Sequence, residues 1–365
     1  IITRLAKLRA FFVIARGSAF ALGGHSIGPQ EAGRMLNVDY VVSGSMRTQG
    51  RHATVTVELI ETQSGRIYWA DEFECALDQP FAALEEIGNR IVAAVAEEIE
   101  TAERNRAVLK PPNSLDAWEA YHRGLWHMYR FNDVDNAHAE DFFRRAVRLD
   151  PTFARAYAAL SFAHFQNAFL HRISERAVQT DLAYDAAGQS LMADDRDPAA
   201  HWAMGRALWL RAQHEESLRE LARSVELSPN FALGHYTLGF VHSQSGDPRT
   251  AINAVDYSRS LSPFDPLQFA MLATNAIAHV RLGNYEEGVS WALKAAARPN
   301  AHTHILGIAT HCLAVANRLD EARVFAAQIR KNLPNYSVND FLTSFHFDKE
   351  TAALFRRSAQ RIGFD

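Results

Sequence analysis

Only two cysteines occur in 365 residues, Cys75 and Cys312. They are too few and too far apart for a disulfide framework, and such usage fits a reducing compartment such as the cytoplasm. No apolar run approaches the ~18 residues needed to cross a bilayer. The stretch from Ile1 to Ala15 is interrupted by Arg4, Lys7 and Arg9. Neither sign of charge dominates, since 38 Lys and Arg against 42 Asp and Glu leave a net charge of −4. The basic footprint that neutralises phosphates is therefore missing, and nucleic-acid binding by this segment is not expected. An initiator methionine is also missing, and Ile1 falls in what reads as the middle of a helix. A fragment of a longer protein is expected. What is abundant is apolar residue, 48% of the chain, enough at this length for the packed cores of two or three domains.

Catalytic and metal constellations are scarce as well. Sixteen histidines invite a metal site, and the tightest group is His302, His304, His311 and Cys312. Imidazole and thiolate suit zinc. On a helix, however, Cys312 is turned about 100° from His311, and packing is the simpler reading. Asn132-Asp133-Val134-Asp135-Asn136 looks like the opening of a calcium loop but lacks the glycine and the closing glutamate, so a solvated turn is expected. The glycine-rich run from Gly23 to Gly28 is not followed by Lys and Ser/Thr, which excludes a phosphate cradle. Ser43-Gly44-Ser45 sits in a strand without a nearby base. Glu85-Glu86 and Glu97-Glu98 read as solvated helix faces. No catalytic residue, cofactor or metal is expected, and this segment is not expected to be an enzyme.

In chain order, Ile1 to Leu8 has helical spacing, and the β-rich run Phe11 to Ala15 reads as a buried strand. Pro29 opens a short helix to Leu36 that Asn37 closes. Three strands follow, Tyr40 to Arg47, Ala53 to Glu61 and Ile67 to Glu74, joined at Gln49-Gly50 and Ser64-Gly65. Val55, Val57 and Leu59 alternate with polar residues, so the middle strand buries one face. From Phe81 to Ala102 an apolar stripe (Leu84, Ile87, Ile91, Val95, Ile99) predicts a long helix covering the sheet. The expected unit is an α+β domain over residues 1–105, a mixed sheet with covering helices. A linker over 106–114 follows, punctuated by Pro111 and Pro112.

Three segments in this domain, FFVIARGSAF, MLNVDYVVSGSMR and VELIETQSGRIYWADEFE, resemble the α/β domain akin to the N-terminal domain of TolB that precedes helical repeats in many bacterial regulators. In that family a further strand precedes the first helix, and its residues are absent here. The resemblance therefore implies an exposed edge near Phe11 to Ala15, open to pairing with another copy or chain.

Beyond the linker the chain is periodic. Pro229 and Pro263 are 34 residues apart, with Gly239, Ala251 and Ser258 at small-residue positions between them. That is the period of a tetratricopeptide repeat, a helix-turn-helix unit that cannot bury its face alone. About six such repeats are expected over 115–337, forming an all-α superhelix, with extra residues near 171–181 and a capping segment over 338–365. Pro151, Pro198, Pro229, Pro263, Pro299 and Pro334 mark the ends of the repeats.

The family frame selects groove-facing residues on the first helix of each repeat: Trp118, Tyr121, Leu125, Met128, Phe162, Phe165, Trp202, Arg206, Trp209, Tyr236, Phe240 and Gln244, with His304 and His311 at equivalent places. These residues either pack against the inserted segment and neighbouring helices or form an aromatic groove for an apolar helix or extended peptide. Only Arg206 matches the Lys/Arg/Asn set of a carboxylate clamp, which disfavours chaperone-tail binding. On the groove reading, truncating Trp202 and Trp209 should weaken partner binding without unfolding the array. The resemblance implies a regulatory, protein-interaction module lying downstream of an output domain. A winged-helix DNA-binding domain would make the whole a transcriptional regulator, and a class III adenylate or guanylate cyclase domain would make it an enzyme. A free-standing scaffold is the third possibility.

Overall fold

The computed structural model describes residues 1–22, 27–76, 80–171 and 175–365. Three short helices, α1 (Ile2–Leu8), α2 (Arg16–Leu22) and α3 (Pro29–Leu36), precede the strands β1 (Tyr40–Gln49), β2 (His52–Glu61) and β3 (Ile67–Ala76). The strands pair as an antiparallel meander in the order β1-β2-β3. Gly50 and Gly65 stand at the two turns with φ of 61° and 72°, a conformation glycine adopts without a Cβ penalty. Alternation along β2 buries Ala53, Val57 and Leu59 against Ile87, Ile91, Val92, Val95 and Ile99 of helix α4 (Pro80–Leu109). Helix α4 runs past the Ala102 that its apolar stripe marks. Its last turns are held by Arg106, which pairs with Glu103 at 2.8 Å and with Glu61 of β2 at 2.6 Å.

Phe11 to Ala15, expected to be a buried strand, joins no ladder among the described residues. Phe11 lies in a bend, Phe12 is 89% exposed, and this run and β1 line a common cavity. The sheet is therefore antiparallel throughout, with β1 at a free edge.

The rest of the chain is a superhelix of antiparallel helix pairs in the tetratricopeptide manner. They are α5 (Ala117–Met128) with α6 (Asp133–Leu149), α7 (Ala154–Gln166) with α8 (Arg176–Ala193), α9 (Pro198–Leu210) with α10 (His214–Leu227), α11 (Ala232–Ser245) with α12 (Pro248–Leu261), α13 (Gln268–Arg281) with α14 (Tyr285–Ala296), and α15 (Thr303–Val315) with α16 (Leu319–Asn332). Two further helices, α17 (Val338–Ser344) and α18 (Lys349–Gln360), close the array.

The 34-residue period has a physical counterpart. Ser190, Ser224 and Ser258, spaced by that interval, each donate a 2.7 Å hydrogen bond to the first carbonyl of the paired helix, on Ala154, Pro198 and Ala232. A small hydroxyl thus ties the two helices together by adding a second hydrogen bond to a carbonyl, which has two lone pairs, where the helices converge. Close approach also requires missing side chains. A Cβ on Gly205 would stand 2.6 Å from Leu221 Cγ, and one on Gly239 would stand 2.6 Å from Val255 Cγ2. Pro198, expected to stop a second helix, instead opens α9 at its first position behind the Asp197 cap. Asn132, in the candidate calcium loop, caps α6 by accepting from the Asp135 amide. Gly23 to Ser26 lie outside the described residues.

Candidate functional site

The groove-facing set converges on the inside of the superhelix, and it is filled. Trp118 is the exception in direction. Its indole donates to Glu103 of α4 at 3.0 Å and its ring meets Phe11 and Phe153, so it faces the N-terminal domain. Tyr121, Leu125 and Met128 are buried in the first repeat. Phe162 and Phe165 stack at 5.8 Å, and Trp202, Trp209, Tyr236, Phe240 and Gln244 are all buried beside them. Arg206 lies under this aromatic layer, its guanidinium 3.9 Å from the Phe165 ring centre and 4.6 Å from that of Phe162. It bonds Thr237 at 3.2 Å, and no carboxylate among the described residues pairs with it. Burial pulls its pKa down to about 10.

Three parts of the chain provide the filling. After α7 a π-helical turn, Asn167–His171, points Phe169 inward onto Phe165, Trp209, Phe240 and His304. This turn lies just before the extra residues expected near 171–181, of which 172–174 lie outside the described residues and 176–181 belong to α8. The curl of the array then brings the first and fifth repeats together, with Phe131 and Phe269 edge to face at 5.0 Å. Finally, the run between α17 and α18 lays Phe345 against Phe169, Phe240 and His304, and His346 against Trp209 and His214. With Trp202 and Trp209 both buried, truncating them would open cavities in a core, contrary to the expectation of a folded array with weaker binding.

The histidine and cysteine group is divided. His304 Nε2 lies 2.7 Å from the Phe169 carbonyl, whereas His311 is enclosed by Phe341, Phe355 and Phe364. Burial pushes His311 down to about 3 and the Cys312 thiol up to about 12, so both are held uncharged. Glu97, read as part of a solvated face, is also elsewhere than expected. It accepts from Ser262 at 2.9 Å where α4 meets the turn before α13, close to buried Asp265. Desolvation, then the Asp265 charge, raises Glu97 to about 7, and burial raises Asp265 to about 6.

A second concave region lies at the sheet edge. It is a cavity of about 1360 Å³ beside β1, lined by Phe11, Val13, Val42, Met46, Leu84 and Val95 among others. Met46 sits on the α4 side of the sheet yet remains exposed, because no strand among the described residues continues the sheet beyond β1.

Phe131, Phe169, Phe269 and Phe345 are the residues that sequence reasoning missed. The signal available was compositional: Phe345-His346-Phe347 is an aromatic run inside the segment read as a cap, and Phe169-Leu170 stands just before the extra residues of the second repeat.

No known protein-family profile matches the chain. A relative named putative adenylate cyclase 3, from Rhizobium meliloti (strain 1021), is 28% identical over 219 residues, 59% of this chain. The chain spans about 37% of that relative's length. Among solved structures, the Cut9-Hcn1 assembly of the APC/C matches with a TM-score of 0.47 at 15% identity, over 77% of this chain and 50% of that one. PilF of Pseudomonas aeruginosa matches with a TM-score of 0.41 at 19% identity, over 63% of this chain and 94% of that one. A tetratricopeptide repeat protein of Parabacteroides merdae matches with a TM-score of 0.39 at 15% identity, over 68% of this chain and 94% of that one.

Proposed function

We propose that this chain is a non-catalytic regulatory module that works by binding protein, with the concave wall from Tyr121 to Gln244 as its recognition surface. The observation that carries this reading is the array itself: stacked helix pairs present one continuous aromatic wall built from residues on successive first helices. Such a wall offers shape and apolar area rather than reacting groups. Its titratable members are held uncharged, as His311 and Cys312 are, or buried among rings, as Arg206 is.

The partner is a protein segment, and the module acts in the cytoplasm of a bacterium, where the two buried thiols, Cys75 and Cys312, stay reduced. Among the described residues no helix is long and apolar enough to cross a membrane. Of the output domains weighed from the sequence, the relative's name favours a nucleotide cyclase, so the module would modulate cyclic-nucleotide synthesis by an attached or associated catalytic domain. A second contact, between copies of this chain through the free β1 edge, would complete the sheet.

The test is capture of partners from a bacterial extract by the immobilised chain, with an assay for cyclic-nucleotide synthesis run in parallel. A partner that elutes as a single stoichiometric species, and no synthesis by the chain alone, are expected. Turnover of ATP or GTP to a cyclic product by this chain would overturn the reading.

A further inference from the structure

The run Phe345–Asp348 is held as a peptide is held rather than as a helix packs. It links α17 to α18, with Phe345 and Asp348 both extended, and its main chain is gripped from one side by a single residue. Gln244 Oε1 accepts from the His346 amide at 2.9 Å, and the Gln244 carbonyl accepts from the Asp348 amide at 3.1 Å. In an extended chain the N–H groups of residues two apart point the same way, so one residue at the end of α11 reads the run by its backbone. Just before the run, Arg176 donates a 2.6 Å bond to the Thr343 carbonyl in the last turn of α17.

Side chains supply two pockets. The Phe345 ring enters the aromatic layer between Phe169, Phe240 and His304. Three residues on, the Asp348 carboxylate meets Arg281 of α13 at 2.8 Å, and the other arm of that guanidinium is anchored on the His242 carbonyl. His346 lies between these anchors against Trp209 and His214. Backbone pairing for affinity, one apolar pocket and one charged pocket at fixed spacing make the elements of an extended-peptide site.

We infer that Phe345–Asp348 is a resident ligand. The wall is a site for an extended segment with an aromatic residue followed three positions later by a carboxylate, and the chain fills that site in cis. A partner segment of the same chemistry enters when the resident run swings out with the closing helices. The effective concentration of a tethered occupant sets a threshold that a free peptide must exceed. The inference rests on the reading of the array as a binding module and adds which chemistry it takes.

The experiment uses the full chain and a fluorescein-labelled synthetic peptide with the sequence of Thr343–Glu350. Two substitutions in the resident run only, Phe345→Ala with Asp348→Ala, weaken the occupant and leave the wall intact. Peptide binding by this variant is expected to be at least tenfold tighter than by the unaltered chain. Adding Arg281→Ala, which removes the charged pocket, should abolish the gain. A folded variant that binds the peptide no better than the unaltered chain overturns the inference. The helical circular dichroism signal reports folding. If the variant does not fold, native-state hydrogen exchange of the unaltered chain decides. The His346 and Asp348 amides should exchange through an opening smaller than the one that releases the centres of α11 and α13. Exchange only together with those helices makes the run ordinary core and also overturns it. Capture of a partner without any peptide binding would leave the interaction-module reading standing while this one falls.

Discussion

The concave side of the array and the free edge of the sheet are both lined by aromatic and aliphatic side chains, and they end in opposite states. Inside the array every large ring has a ring neighbour, and Trp209, the centre of the layer, is 1% exposed. At the sheet edge, Phe12 and Met46 line a cavity and are mostly exposed. Topology separates the two. A superhelix that curls until its first and fifth repeats touch at Phe131 and Phe269 folds its concave wall into a core. A three-stranded meander cannot curl far enough to cover its own edge, which keeps a row of unpaired N–H and C=O groups along β1.

Substitutions can break or sharpen that contrast. The largest effect belongs to the sealed side. Trp209→Ala should destabilise the chain by about 3–5 kcal/mol, the range for removing a buried large aromatic, and chemical unfolding followed by helical circular dichroism will measure it. A loss below about 1 kcal/mol, typical of surface sites, would show the wall to be an open groove. Next comes the close approach of paired helices. Gly205→Ala puts a methyl 2.6 Å from Leu221 Cγ, and overpacking of this kind costs about 1–3 kcal/mol, read in the same assay.

The junction of the two domains should give a smaller, pH-dependent effect. Glu97 and Asp265 are raised to about 7 and about 6, so in the folded chain they hold protons that the unfolded chain has released. Their contribution is therefore most favourable below about pH 4 and is lost as pH rises through about 7. Buried His122 and His311, each lowered to about 3, oppose this, since the unfolded chain binds their protons as pH falls below about 6.5. A direct comparison isolates the carboxylate: Glu97→Gln should stabilise the chain at pH 8 relative to the parent, with the advantage shrinking toward pH 5. An advantage that does not change with pH would remove the carboxylate from the account. The smallest effect on stability is expected at the open side. Phe12→Ser should move the unfolding midpoint by less than about 0.5 kcal/mol, while lowering any concentration-dependent association seen by sedimentation. Unaltered association would direct attention away from this edge.

The regular part of this architecture was legible because it is local. Apolar spacing, small residues at Gly205 and Gly239, and a 34-residue interval all act within one helix pair, and a single serine fixes the same hydrogen bond in three successive repeats. Alternation along β2 likewise shows in sequence which face meets α4. The wall residues could be selected, but their burial could not, because it depends on Phe169 arriving from a π-helical turn and on Phe345 arriving from more than 100 residues beyond Phe240. Phe11 to Ala15 misled for the same reason in reverse. Its β-rich composition is real, but a strand exists only where a partner lies within hydrogen-bonding reach. Glu97 read as solvated because its helical neighbours are charged; only the turn that carries Ser262 and Asp265 excludes water from it.

Helix α4, 30 residues and so about 45 Å long, touches several repeats of the array at once. Along its length Glu103 holds Trp118 of the first repeat, Glu100 faces Arg155 of the second at 3.6 Å, Glu97 holds Ser262 beyond the fourth, and Asn89 donates to Tyr257 within it. Solenoids ordinarily lose structure by fraying from an end, since each unit is coupled only to its neighbours. A splint across distant units removes that freedom: the ends cannot loosen without breaking contacts at the middle, and the array should melt in one cooperative step.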